Sequence, residues 1–554
     1  MLFNSYGFIF IFLPVVLLLY WAARTTDQKK VISVAASYAF YGVWSVKFAA
    51  LMLLTTSSDY FFARLIASST AAASATAAAR QRRRKVWLVL SLGLNLGVLA
   101  VFKYYDFFAG SLNALFAGLA HAALPAAAAP SAAGLSPAAP PAQPLLPLLR
   151  LALPIGISFY TFESMSYVID VYREKVQAAR RFLDYAHFVT MFPRLVAGPI
   201  ARYTDVVAQL RALPPRLGWD RAAEAIHFFT LGLAKKMLVA DPLAVHLVDP
   251  LFKSPGSLNF FTGWLAALGY TVQIYMDFSG YSDMAVGLGL LLGFRLPRNF
   301  HLPYTAAGVA EFWRRWHITL SNWLRDYLFI PLGGSRAAPW RTSLNYFVTM
   351  LLGGLWHGAN WTFVLWGAYQ GAGLALSHRL DGTATVSRIP RLIRVAATFL
   401  FTVVGWVIFR SPSVRAALSM FKGMLGLRGL GLSPAGGAAA AGAAGHAGLG
   451  LGFGLDLGVG LSTSAGALTL VTLAVGLLIG FTVDTWELWA AKEKPGGGGS
   501  PVSDPAVSGA QARPHALGLA FPPRSFPLAL AYGLLLVICV AQLAAPSPFI
   551  YFQF

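Results

Sequence analysis

A chain of 554 residues with 57% hydrophobic and only 12% charged side chains is not covered by ionic groups as soluble proteins are, since those carry about a quarter charged residues. This composition excludes a water-soluble globular protein and predicts that the chain's solvent is mostly lipid. The net charge of +21 lies in short basic clusters between apolar runs, which is typical of cytoplasmic flanks of membrane spans and argues against nucleic-acid binding.

Apolar segments in chain order predict an all-α integral membrane protein with about eleven to thirteen membrane helices. The candidate spans are residues 6–23, 31–47, 50–67, 86–108, 148–171, 222–248, 258–275, 278–294, 343–361, 362–378, 393–410, 464–489 and 526–546. No cleavable signal is apparent, because the first span is long enough to cross and no Lys or Arg precedes it.

The charges of the connecting loops predict the topology. The basic cluster 80–85 (RQRRRK) and the basic loop 172–181 are predicted to be cytoplasmic. The Ala/Pro-rich loop 121–147 has no formal charge and is predicted to be extracytoplasmic.

Composition also predicts the division of the chain. Residues 1–428 form one helical core, residues 429–462 are a Gly/Ala-rich linker, and residues 463–554 carry further membrane helices. The segment 491–524 is predicted to be a polar loop within this last part.

Segment 311–328 has two faces at helical spacing, which predicts an in-plane amphipathic helix at the cytoplasmic membrane surface. Its apolar arc holds Trp313, Trp316, Leu320, Trp323, Leu324 and Tyr327, and its polar arc holds Glu311, Arg314, Arg315, Asn322, Arg325 and Asp326. His317 falls at the margin of the apolar arc, so the spacing leaves open whether it is a structural histidine or points into a site.

His357 stands in a glycine-rich sequence, LLGGLWHGANW, near the end of an apolar run. The glycines allow backbone or substrate to approach closely, and no carboxylate is nearby in sequence to hold a proton on the imidazole. A neutral imidazole can take a proton from an attacking hydroxyl, as acyl transfer requires. A histidine that hydrogen-bonds between helices is the alternative, and spacing alone does not decide between them.

Other ionisable residues within apolar segments are predicted to face a cavity or a partner, and Asp277 is the one we assign to substrate binding. We assign Asn360, next to His357, to the same role. The sequence has no P-loop, dinucleotide fingerprint, H-E-x-x-H or G-x-S-x-G motif. We expect no metal and no tightly bound cofactor, and the single cysteine, Cys539, excludes an internal disulfide.

Several segments, in order, resemble the membrane-bound O-acyltransferase (MBOAT) family, and within it the bacterial alginate O-acetyltransferase branch. They are FNSYGFIFIFLP at 3–14, LPIGISFYTFESMSYVIDVYR at 153–173, FPRLVAGPIARY at 192–203, IYMDFSGYSDMAVGLGLLLGFRLPRNF at 274–300, FWRRWHITLSNWLRDYLFIPLGG at 312–334, LLGGLWHGANWTFVLWG at 351–367 and GWVIFRS at 405–411. The resemblance extends from the N-terminus to about Met424.

The resemblance implies a ring of membrane helices around a funnel joined to a cytoplasm-facing tunnel. It implies that His357 is the catalytic histidine and His317 a supporting one, and that Arg314, Arg315 and Arg325 orient helices or meet an anionic donor. The implied donor substrate is a thioester, either acetyl-CoA or an acyl carrier protein, and the implied acceptor is extracytoplasmic.

The same resemblance implies a location in the bacterial inner membrane, in contact with membrane lipid. The implied partners are an extracytoplasmic SGNH-type acetyltransferase and a polysaccharide synthase complex. Three alternatives stay open: a polysaccharide or lipid-linked transporter, a non-catalytic scaffold, and D-alanyl transfer to teichoic acid within the same superfamily. A transporter should show paired halves or broken helices in matching positions, and the sequence shows neither.

Overall fold

The computed structural model describes residues 1–71, 76–123, 145–430, 464–490 and 526–543, and within these ranges the regular structure is entirely helical. The longer helices are Leu13–Ala22, Thr26–Gly42, Val46–Ala71, Ala77–Leu99, Tyr105–Ala123, Ile157–Tyr172, Trp219–Ala234, Phe260–Leu291, Pro339–His357, Trp361–Leu380, Arg391–Arg410, Val414–Met424, Ser464–Thr482 and Phe526–Ala541. Most of the loop 121–147 and of the linker 429–462, and all of the loop 491–524, lie outside the described residues.

Among the described helices, two are long and apolar enough to cross a membrane by length and composition, residues 77–119 and Arg391–Arg410. Residues 7–22, 466–482 and 530–541 form shorter apolar helices. Large apolar side chains are exposed on the outer helices, as a lipid-facing surface requires. The number of membrane helices and their arrangement in a ring stay predictions.

The helix Phe260–Leu291, here called the central helix, is buried along most of its length. The helix Trp219–Ala234 lies so close to it at Gly232 and Gly280 that an added Cβ at Gly232 would stand 2.5 Å from the Gly280 carbonyl oxygen. Because the central helix is continuous from Phe260 to Leu291, the prediction of two separate spans, 258–275 and 278–294, is wrong. Asp277 does not break the helix, because its carboxylate lies 2.6 Å from Lys236 Nζ and its charge is matched inside the protein.

Segment 311–328 is not one helix, so the prediction of a continuous amphipathic helix is also wrong, while its in-plane position at the cytoplasmic membrane surface stays a prediction. A helix Val309–Arg315 ends before His317, and a second helix, Ile318–Leu324, begins after it. His317 has φ 43° and ψ 55°, a left-handed conformation that a continuous helix cannot contain. The division into faces survives the break, since all six residues of the apolar arc are buried.

The two basic segments predicted to be cytoplasmic meet at one end of the molecule, here called the basic end. Arg84 Nη1 lies 2.7 Å from Glu174 Oε1, and Gln81 Nε2 donates to the hydroxyl of Tyr172. The broken segment reaches the same end, because Arg173 donates to the carbonyl of Asp326. These contacts place 80–85, 172–174 and 326 on one side of the protein.

The described parts of the C-terminal region pack against the core. Thr485 Oγ1 donates to Asp283 Oδ2 on the central helix at 2.9 Å, and Arg298 forms an ion pair with Asp484. His227 contacts the Tyr532 hydroxyl at 2.5 Å. The C-terminal helices are thus fastened to the core by buried polar contacts, while the domain division itself stays a prediction.

Candidate active site

His357 is the last residue of the helix Pro339–His357, here called the His357 helix. It lines a cavity of about 360 Å³ together with Trp44, Lys103, residues 153–159, Val196 and Trp356. The end of the helix therefore places the imidazole at a cavity that is large enough for a small acyl group and an attacking hydroxyl.

Aromatic rings surround the imidazole of His357, which is 6% exposed. The ring centroids of Trp356, Trp366 and Phe409 lie 4.9, 5.1 and 5.2 Å from it, all in edge-on geometry. A charge in such an apolar shell is costly, so the surroundings favour the neutral, proton-accepting imidazole.

Gly354 explains how this helix can stand where it does. A Cβ built at Gly354 would lie 2.3 Å from the carbonyl oxygen of Phe363 and 2.8 Å from the Cα of Gly367, both on the helix Trp361–Leu380. Only glycine permits this approach of two helix backbones. The glycine next to the histidine motif therefore serves helix packing, one of the two uses that the sequence left open.

Lys103 is a cavity residue that the sequence analysis missed. Its ammonium donates to the carbonyl oxygens of Trp356 at 2.6 Å and His357 at 3.1 Å, and to Ser158 Oγ at 3.3 Å. It lies in a π-helical turn, Ala100–Tyr104, and such turns are frequent at functional sites. A lysine inside the apolar run 86–108 was the signal, since an intramembrane charge needs a partner.

His317 lies at the break between the two short helices and is fully buried. Its Nδ1 is 3.0 Å from Asn299 Oδ1, and its Nε2 has no hydrogen-bond partner among the residues that the structure describes. Burial lowers the pKa of His317 to about 3, so this imidazole is neutral at physiological pH. Asn299 carried no signal in the sequence, where it stands between Arg298 and Phe300.

The structure brings the two histidines together. The Trp356 ring lies 6.4 Å from that of His317 and 4.9 Å from that of His357, and the two imidazoles are close enough to interact electrostatically. A proton on one therefore opposes a proton on the other, which again favours neutral rings.

The three predicted arginines are not among the residues that line the His357 cavity. Arg315 pairs with Glu311 at 2.6 Å, and Arg325 pairs with its neighbour Asp326 at 2.7 Å. Arg314 lines a second cavity of about 220 Å³, together with Ala307, Gly308, Glu311, Asp381, Gly382 and Arg394. Their contact with an anionic donor stays a prediction.

Asn360 and Asp277 each have a structural partner. Asn360 caps the helix Trp361–Leu380 by accepting from the Thr362 amide, and its Nδ2 donates to the Pro412 carbonyl. Asp277 pairs with Lys236. Neither Asn360 nor Asp277 lines the His357 cavity. Their assignment to substrate binding stays a prediction that these contacts do not favour.

His301, Asp484 and Glu487 place three ligand atoms within 4.8 Å of one another, as a metal site would require. The Asp484 carboxylate is already engaged by Arg298 and by the amides of Trp486 and Glu487. This arrangement fits an ion-pair network better than it fits a metal site.

Comparison with known proteins identifies the family of this chain. The family model described as membrane-bound O-acyltransferase matches residues 151–407. The probable alginate O-acetylase of Pseudomonas putida is 43% identical over 426 residues, which cover 76% of this chain and 80% of the relative. The chain belongs to the membrane-bound O-acyltransferase family.

The names of two further relatives refer to other acceptors. The peptidoglycan O-acetyltransferase of Helicobacter pylori is 35% identical over 78% of this chain and 81% of its own length. The teichoic acid D-alanyltransferase of Streptococcus thermophilus is 28% identical over 40% of this chain and 56% of its own length. This membrane-bound O-acyltransferase is thus a membrane protein and an enzyme, and the matched region contains both His317 and His357.

Proposed function

We propose that this O-acyltransferase passes an acetyl group from a cytoplasmic thioester, acetyl-CoA or an acyl carrier protein, across the bacterial inner membrane. The acetyl group then serves O-acetylation of an extracytoplasmic polysaccharide such as alginate or another exopolysaccharide. The observation that carries the proposal is the position of His357, in an aromatic shell at the wall of a cavity remote from the basic end.

The depth of the cavity supports transfer across the membrane. Arg84 and Lys103 lie on one continuous helical stretch, 77–119. At a helical rise of 1.5 Å per residue, the two residues are about 28 Å apart along the helix axis. That length is roughly the thickness of the hydrocarbon core. With the basic end in the cytoplasm, the cavity beside Lys103 belongs to the extracytoplasmic half of a multi-pass protein.

In the proposed reaction His357 is the general base. The imidazole takes the proton of an acceptor hydroxyl, whose oxygen forms a bond to the thioester carbonyl carbon. The carbon–sulfur bond then breaks, and the proton passes to the departing thiolate. Because both rings are buried and neutral, His317 supports this step without repelling the imidazolium that forms in passing.

The names of the relatives favour acetyl over D-alanyl transfer. The alginate and peptidoglycan relatives match three-quarters or more of this chain, whereas the D-alanyltransferase matches 40%. The proposed partners are an extracytoplasmic SGNH-type acetyltransferase, which receives the acetyl group, and the polysaccharide synthase complex that supplies the polymer.

The test compares polymer acetyl content with polymer yield in strains that carry His357→Ala or the matched control His246→Ala, a change at an exposed histidine. A general base contributes about a hundredfold to ten-thousandfold in rate, so His357→Ala should nearly abolish acetylation while polymer is secreted at normal yield. His317→Ala should reduce acetylation less if His317 orients groups, and equally if it binds the donor. Failed secretion with persistent acetylation of the residual polymer would support transport instead.

A further inference from the structure

The segment that follows the central helix holds His317 in place from both sides. The Ile318 amide donates to the carbonyl of Asn299, and the His301 amide donates to the carbonyl of Arg315, both at 2.9 Å. His317 lies between these two main-chain contacts in its left-handed conformation. A strained backbone conformation of this kind persists only where its surroundings fix it, and it is common at active sites.

The side chain of Asn299 makes a second set of contacts at the same place. Its Oδ1 accepts from Thr319 Oγ1 at 3.0 Å and from the Thr319 amide at 3.4 Å, and its Nδ2 donates to Ser282 Oγ at 3.1 Å. A main-chain N–H can only donate, so the amide atom that faces it must be the oxygen. The orientation of the Asn299 amide is therefore determined independently of His317.

This orientation decides the protonation pattern of His317. Its Nδ1 lies 3.0 Å from Asn299 Oδ1, which only accepts, so Nδ1 carries the proton. A neutral imidazole with a proton on Nδ1 has its lone pair on Nε2. That nitrogen is buried and has no hydrogen-bond partner in the described part of the chain.

We propose that Asn299 is a positioning residue that fixes His317 as the Nδ1–H tautomer and so keeps Nε2 as an open acceptor for a substrate hydroxyl or thiol. The inference rests on the proposed function, in which His317 serves acyl transfer. A buried acceptor without a partner costs stability, and a bound substrate donor removes that cost.

The choice of an amide at position 299 has a consequence of its own. An aspartate would also accept from Nδ1–H, but its charge would stabilise the imidazolium. A neutral asparagine fixes the tautomer without favouring protonation. This suits a histidine that orients a hydroxyl or thiol beside a separate base at His357.

The tautomer is measured directly by ¹⁵N NMR of histidine-labelled full-length protein in lipid, with the His317 signals assigned by their loss in His317→Gln. We expect a protonated Nδ1 and an unprotonated Nε2, and loss of this pattern in Asn299→Leu. A His317 signal with the proton on Nε2, or one unchanged by Asn299→Leu, would overturn the inference.

Polymer acetyl content then measures how much the Nδ1–H tautomer of His317 contributes to acyl transfer. Asn299→Leu should lower it by about tenfold or more, since a histidine in the wrong tautomer loses far more than that in hydrolase triads. Asn299→Asp keeps the acceptor and should retain more activity than Asn299→Leu, and the control Ser282→Ala, which removes only the Nδ2 contact, should stay near wild type. Equal losses in Asn299→Leu, Asn299→Asp and Ser282→Ala would mean a purely structural role and overturn the proposal. Full acetylation in His317→Gln would instead remove the role of His317 on which the proposal rests.

Discussion

The ammonium nitrogen of Lys103 lies 2.6 Å from the carbonyl oxygen of Trp356, at the C-terminal end of the helix that carries the catalytic candidate. The last carbonyls of a helix lack intrahelical partners, and a cation there also matches the helix dipole. Tyr104 acts in the same way, because its hydroxyl donates to the carbonyl of Leu355. Two consecutive residues of a π-helical turn therefore hold the end of the His357 helix.

We expect Lys103→Met to lower polymer acetylation by about tenfold or more, because buried carbonyls lose their donor at a cost of about 1–3 kcal/mol and the imidazole shifts in its cavity. The measurement is polymer acetyl content, normalised to the amount of protein in the membrane. Lys47→Met, at an exposed lysine, is the matched control. Unchanged acetylation in Lys103→Met would show that the end of the helix is held by other contacts.

The buried Lys236 ammonium, which lies 2.6 Å from Asp277 Oδ1 and 2.8 Å from Asp241 Oδ1, predicts an effect on stability. Asp277→Ala removes one of these two carboxylates and should lower the melting temperature of the detergent-solubilised protein, by less than the loss of about 3–5 kcal/mol for a buried charge left with no partner. Lys236→Met should lower the melting temperature more than Asp277→Ala, because it removes the cation from both carboxylates at once. A stable Asp277→Ala protein that has lost only acetylation would instead favour the predicted role in substrate binding.

The contact between Arg84 and Glu174 predicts the outcome of topology mapping. Reporters placed at Arg83 and within 172–181 should both be cytoplasmic, and a reporter at Ala128 should be extracytoplasmic. The readout is a pair of fusions that are active on opposite sides of the membrane. Arg83 and Ala128 on the same side would contradict the topology and remove the argument that places the His357 cavity in the extracytoplasmic half of the membrane.

Much of the site follows from the sequence because its signals are local. His357 and its glycines are neighbours in the chain, and the burial of the apolar arc follows from helical spacing. Asn299 and Lys103 could not be assigned in the same way. Asn299 lies 18 residues from His317 in the chain, and Lys103 lies 254 residues from His357. Such contacts form only when the helices pack.

The two wrong helix boundaries have one physical cause. The predicted spans 258–275 and 278–294 stop on either side of Asp277, where Lys236 from a neighbouring segment matches the charge and the helix continues. At His317 the two-faced pattern predicts a continuous helix. The main chain of residues 299–301 instead forms hydrogen bonds with Arg315 and Ile318, and these interrupt the helix. In both places tertiary contacts override the local pattern.

Gly354 gives the sharpest test of how closely the His357 helix must approach its neighbour. In Gly354→Ala the new Cβ would stand 2.3 Å from the carbonyl oxygen of Phe363, a main-chain atom that cannot swing aside. The two helices must therefore separate, and we expect a displacement on the ångström scale at His357, which can cost about a hundredfold in rate.

Gly93→Ala is the matched control, because nothing lies within 4 Å of a Cβ there and alanine is the better helix former. Acetyl content should collapse in Gly354→Ala and stay at wild type in Gly93→Ala, with similar amounts of both proteins in the membrane. Normal acetylation in Gly354→Ala would mean that the helices can separate without moving the imidazole, and the close approach would then matter for packing alone.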